Sequence, residues 1–254
     1  MLSEWTAECC LDAPVLVVPW SNQGAGNLAN SGSGTRFIDL RANPYDVAEL
    51  PEAEQNPCLA RALRSLNATR SPFLTAKCDA WRLAVSDAEP GADGEHREKL
   101  EALRLELMLP EEESGFGFAS YIDLLWRERS VFASAHQQQD RLDRLVRRAQ
   151  RLAHAEAALE FVLRPALLDL YAPLEGFSVT VYLTALGPEP EIARRRWELA
   201  MEDVVSLLRS KELEVTRGSA TIDAVDADPV RVSPLGSSEG GPQVDGQVPK
   251  DWGE

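Results

Sequence analysis

Eight side chains in four apolar segments are the residues of this chain best suited to recognition or chemistry. They are Lys77, Asp79 and Trp81 in FLTAKCDAWRL, Tyr121 and Asp123 in GFGFASYIDLL, Arg164 in EFVLRPALL, and Tyr182 and Thr184 in GFSVTVYLTAL. Each segment has the alternation of a strand, so every second side chain points the same way. One set is apolar: Leu74, Ala76, Cys78 and Ala80, then Phe116, Phe118, Ile122 and Leu124, then Phe177, Val179, Val181 and Leu183. The opposite set holds Thr75, Ala119, Ser178 and Thr180 beside the candidates of these strands. If helices cover the apolar set, two phenols, an indole and several charges form a floor for a small polar or aromatic ligand. Asp79 and Asp123 form an acid/base pair only if they approach each other and one pKa rises. Lys77, Asp79, Tyr121 and Asp123 are therefore the first candidates for an enzymatic reading, in which no catalytic residue is assigned.

Other motifs are weaker. VLVVPWSNQGAGNLANSGSGTRFIDL has the outline of a dinucleotide-binding loop, with Gly24 and Gly26 between two apolar runs and Asp39 beyond. A working loop needs the first glycine close behind its strand and a helix directly after. Here Pro19 to Gln23 intervene, and NSGSGT follows, which breaks a helix. The reading is a flexible loop, and no cofactor is expected. Cys9 and Cys10 are adjacent, a poor geometry for a disulfide or a metal pair. His96, His136 and His154 lack metal-ligand spacing, so no metal is expected. Cys78 reads as a buried core thiol. Arg141, Arg144, Arg148 and Arg151 form a stripe beside Leu142, Leu145, Ala149 and Leu152. Such arginines bind phosphate or an acidic partner, or pack their stems and pair with Asp140 and Asp143, which is the commoner case.

The elements that position these residues follow from period and punctuation. TRFIDL suits a first strand. Asn43-Pro44 and Asn56-Pro57 each read as an N-cap followed by proline at the first helical position. Leu59, Ala62, Leu63 and Leu66 give one helical stripe, and Ala193, Trp197, Ala200, Met201, Val204, Leu207 and Leu208 give another. Residues 95–109 fit helix or strand, with helix preferred. Pro165 predicts an edge strand, because proline cannot donate to a ladder. GFGFASYIDLL aligns with GFSVTVYLTAL at Gly, Phe, Tyr and the final Leu, and each is followed by an Arg-rich helix. The order β-β-α occurs twice, which suggests internal repeats over 71–154 and 155–211. The expected fold class is α+β: a two-layer sandwich with a largely antiparallel sheet and helices on one face. At the level of architecture this is similar to ferredoxin-like and duplicated effector-binding folds, a likeness that assigns no function.

Composition sets the remaining bounds. The 254 residues carry a formal charge of −15, and 44% are apolar. That balance disfavours nonspecific nucleic-acid binding and attachment to an anionic membrane, which both need positive patches. No run approaches the roughly 20 apolar residues that span a bilayer. The N-terminus lacks a signal-peptide pattern, so a cytoplasmic location with reduced thiols is expected. The expected organisation is an arm and Gly/Asn/Ser-rich loop over 1–34, one domain over 35–217, and a mostly disordered acidic tail over 218–254. The functional expectation is a binding or interaction protein that uses the sheet face for a small molecule or a protein partner, a second copy of the chain included. The alternative is a cofactor-independent enzyme acting on a small substrate at the same face.

Overall fold

A computed structural model describes residues 1–19, 37–84, 94–215 and 218–223. Six strands form one mixed, mostly antiparallel sheet: β1 (Leu2–Ala7), β2 (Leu16–Val18), β3 (Phe73–Ala84), β4 (Phe116–Trp126), β5 (Ala157–Leu168) and β6 (Leu174–Gly187). The order across the sheet is β1-β5-β6-β4-β3, and β2 extends β1's edge along the far end of β5. The helices are α1 (Pro51–Gln55), α2 (Pro57–Leu66), α3 (Gly94–Glu106), α4 (Arg129–Phe132), α5 (Ala135–Ala149) and α6 (Pro190–Leu208). The α+β sandwich read from the sequence is the architecture observed.

Three polar anchors fix which face the helices cover. Trp197 of α6 donates its indole N–H to Ser120 of β4 at 2.9 Å and lies 4.8 Å from the Phe118 ring. Ser3 of β1 donates to the Val146 carbonyl of α5 at 3.0 Å. Asn67, at the end of α2, donates to Thr75 Oγ1 of β3 at 2.6 Å and accepts from the Thr75 N–H at 3.1 Å. All seven residues of the stripe expected on α6 are buried, and so are the four expected on α2. At about 25 cal/mol per Å² of buried apolar surface, these stripes hold the helices on the sheet.

Several expectations need correction. The first strand is not TRFIDL: Phe37 to Asp39 lie in no strand, and Arg36 and Thr35 lie outside the described residues. Leu2–Ala7 and Leu16–Val18, read as part of an arm, fill that edge of β5 instead. An edge has room for one partner at each level, so TRFIDL has no place where β1 and β2 already pair. Pro165 does not mark an edge strand, because β5 lies between β1/β2 and β6. Its missing N–H faces a gap all the same. The Leu163 carbonyl points toward β1 and accepts from Glu8 N–H at 2.9 Å. Two residues on, Pro165 points the same way, between the end of β1 at Ala7 and the start of β2 at Leu16. Of the two expected Asn caps, Asn43 accepts from the Tyr45 N–H, whereas the Asn56 side chain donates backward to the Glu52 carbonyl. Residues 94–106 are helical, as preferred.

The segment after 217, where the sequence allows a short strand in ATIDAV, is held at its start. Thr221 bridges Glu128, the Ile222 N–H donates to the Arg127 carbonyl at 2.8 Å, and Ile222 is buried. Asp223 is held by Arg41 at 2.6 Å and Arg127 at 3.0 Å. Residues 218–223 therefore dock on the domain. The tail expected from Ala224 onward and the glycine-rich loop at 24–29 lie outside the described residues.

Candidate functional site: an aromatic and charged sheet face

Directly opposed residues in a ladder share a face. One row runs across five strands: Asp79 of β3, Tyr121 of β4, Tyr182 of β6, Glu160 of β5 and Glu4 of β1. The next row holds Trp81, Ala119, Thr184, Ala158 and Leu2. On the other side, Asp123, Thr180, Val162 and Thr6 are paired, and then Ser178 with Arg164. These residues alternate with the helix-side ones, so they occupy the face opposite α5 and α6. Of the buried apolar residues, Ala119, Val162 and Leu186 lie here, separate from the helix-side core.

The aromatic rings form a chain. Trp81 and Tyr121 centroids are 6.2 Å apart, and Tyr121 and Tyr182 are 6.0 Å apart. The Arg164 guanidinium stands 6.0 Å from the Tyr182 centroid and donates to its hydroxyl at 3.5 Å. Both spacings suit tilted aromatic pairs and a cation over a ring. All four side chains are partly exposed. A polar relay runs beneath them. Glu8 accepts from Arg164 Nε at 2.7 Å, Arg164 Nη1 donates to Thr180 Oγ1 at 3.4 Å, and the Thr180 hydroxyl donates to Asp123 Oδ1 at 2.6 Å.

Burial governs the acid–base character. Asp123 is only 7% exposed, and desolvation lifts its pKa above the ordinary value. The Thr180 hydrogen bond and the charges of Lys77 and Arg164 oppose that rise without cancelling it. Tyr121 is pushed up to about 12, by burial first and then by Asp123 and Asp79. Cys78 is pushed up to about 12 for the same leading reason. At neutral pH Tyr121 is a neutral hydrogen-bonding group and Cys78 an inert thiol. At the β1 edge, burial and the neighbouring charge of Glu4 raise Glu160.

All eight sequence candidates lie in the sheet, but one of the expected alternations is broken. Thr75 opposes Leu124 while Cys78 opposes Ile122, so β3 carries a bulge at Ala76 and Lys77, opposite Asp123. The extra residue turns Thr75 to the helix side, where Asn67 binds it; it had been expected on the open face. Beyond the bulge, Asp79 and Trp81 fall on the open face as expected. Lys77 sits in the bulge within electrostatic reach of Asp123. Asp79 is exposed and accepts from the Ala80 N–H at 2.7 Å. Thr184 is half-buried between Ala119 and Ala158.

Sequence reading missed Glu4, Glu8 and Glu160 as parts of this face and gave Thr180 no role. The alternation in LSEWTA, with Leu2, Glu4 and Thr6 on one side and Ser3 and Trp5 on the other, was the available signal. Among the described residues, no group of three or more His, Cys, Asp or Glu is arranged to hold a metal ion, and no helix is long and apolar enough to cross a membrane. No family model, curated protein or solved structure matches the chain.

Proposed function

We propose that this chain is a cytoplasmic binding protein that presents the Trp81–Tyr121–Tyr182–Arg164 strip, rather than a catalytic centre, to a small ligand or a protein partner. The strip itself carries the reading: three rings and a guanidinium in contact across four strands, partly exposed, on the face opposite the helices. Such amphipathic, rotationally restricted side chains give contact area at low entropic cost. The neutral Tyr121 phenol and Cys78 thiol favour binding over nucleophilic or basic chemistry at neutral pH.

The same strip supports reading the two β-β-α units as a duplication. Sequence alignment matches Tyr121 with Tyr182, and strand register pairs the same two residues across β4 and β6. A local two-fold axis between those strands brings equivalent residues face to face in this way.

The test is a thermal-shift panel of common metabolites on wild type and a Tyr121→Phe/Asp123→Asn variant, with light scattering on both. A compound that stabilises wild type and not the variant places a ligand on the strip. A dimer that the variant weakens makes the face an interface between copies. Turnover of a stabilising compound, lost in the variant, overturns the proposal in favour of the enzyme reading.

A further inference from the structure

Three arginines expected to act as packing residues line a cavity on the helix side of the molecule, away from the strip. The cavity measures about 110 Å³ and is bounded by Arg141, Arg144, Leu145 and Arg148 of α5 and by Glu212 and Leu213 after α6. That volume is well beyond the roughly 10–15 Å³ that admits one water. Among the described residues, the carboxylates expected to neutralise these arginines make no ion pair with them. Asp143 accepts from the Trp5 indole at 2.7 Å, and Asp140 lies 3.9 Å from His136. Arg141 is instead paired with Glu128 at 3.3 Å and stacked over Trp126 at 4.8 Å. Arg144 donates its Nε to the Asp140 carbonyl at 3.0 Å. Both of its terminal nitrogens are then left, among the described residues, for solvent or a ligand. Arg148 donates through Nη1 to Ser210 Oγ at 2.9 Å and to Glu212 at 3.1 Å.

We infer that this cavity is an anion site for a phosphate group, with Glu212 acting as the resident carboxylate that a ligand displaces. Three arginines line it from one helix face at spacings of three and four residues, and guanidinium donors suit the tetrahedral array of phosphate oxygens. Against them stand two carboxylates, one on the far side of Arg141 and one at the mouth. The Arg148–Glu212 pair is exposed, at 36% and 76% for the two side chains, and pairs of that kind are weak and screened by salt. Leaving it therefore costs little, and phosphate, with more charge and more acceptors, replaces it. Arg148 lies in the last turn of α5, where the helix dipole is negative, so the guanidiniums and not backbone N–H groups must hold the anion.

Inorganic phosphate is the probe, titrated calorimetrically at low ionic strength against the full chain, with chloride at matched ionic strength as the reference. Wild type is expected to bind saturably. Glu212→Gln should bind several-fold tighter, because it removes the competing carboxylate. Arg144→Gln, an exposed change that leaves the Leu145 and Ala149 packing intact, should bind about tenfold weaker, the scale of one charge-assisted hydrogen bond. Phosphate heats that match chloride in both wild type and Glu212→Gln overturn the inference. So does an Arg144→Gln curve that superimposes on wild type.

Discussion

Along β4, neighbouring residues live under different physics. On the helix side Phe118, Ser120, Ile122, Leu124 and Trp126 are nearly fully buried, and the Ser120 hydroxyl is matched by the Trp197 indole. On the other side Tyr121 keeps part of its ring exposed, and Asp123 beside it relies on one hydroxyl and two cations at a distance. The first face gains from every contact it makes. The second accepts a buried carboxylate whose charge is disfavoured, a cost that a purely structural face would avoid by placing an apolar residue there. A second buried carboxylate sharpens the contrast. Asp223 would also be raised by burial, but its hydrogen bond to Arg127 and the charges of Arg127 and Arg41 more than offset that and hold it below the ordinary value. One carboxylate fastens the chain, whereas the other carries a charge that burial disfavours.

The largest effect should come from the helix side. Trp197→Ala empties the contact with Phe118 and leaves the Ser120 hydroxyl without its donor. It should cost about 3–5 kcal/mol of unfolding free energy in a denaturant titration. A loss below about 1 kcal/mol would show that α6 does not hold the core as described. Asp223→Asn comes next. It removes the charge between two guanidiniums, each largely buried, and should cost about 2–4 kcal/mol. The sign with pH is fixed by the lowered pKa. Wild-type stability from Asp223 is present above the unfolded carboxylate pKa and is lost as pH falls through the folded one. The gap between wild type and variant should therefore close in acid; a gap independent of pH would mean the ion pairs contribute nothing.

Much of this fold was legible because period and packing agree. The stripes Leu59–Leu66 and Ala193–Leu208 need only 3.6-residue spacing to be read, and both are buried as read. The aromatic core of the site was legible for the same reason: Tyr121, Asp123, Tyr182 and Thr184 lie on strands whose alternation is unbroken. What stayed hidden depends on partners distant in sequence. The bulge at Ala76 and Lys77 has no local signature, yet it reverses Thr75. β1 and β2 are too short to declare themselves and become strands only by pairing with β5, some 150 residues away. Without them the acidic edge of the face, Glu4 and Glu8, had no place in it. Asp223 looked like part of a polar tail because its two arginines come from residues 41 and 127.

The smallest expected effect separates the faces most sharply. Asp123→Asn keeps an acceptor for the Thr180 hydroxyl and removes a charge that burial disfavours. At neutral pH its stability should lie within about 1 kcal/mol of wild type, on the favourable side. Here the sign reverses that of Asp223. A carboxyl whose folded pKa is raised contributes its full stability below the unfolded pKa and loses it as pH rises through the folded value. Wild type should therefore gain on Asp123→Asn as pH falls from the raised folded pKa to the ordinary carboxylate value, and lose its advantage over Asp223→Asn below that value, toward the lowered folded pKa. Denaturant midpoints for the three proteins at stepped pH provide the measurement. Parallel curves for the two variants would mean that Asp123 is stabilised like Asp223, and the contrast between the two carboxylates would be lost.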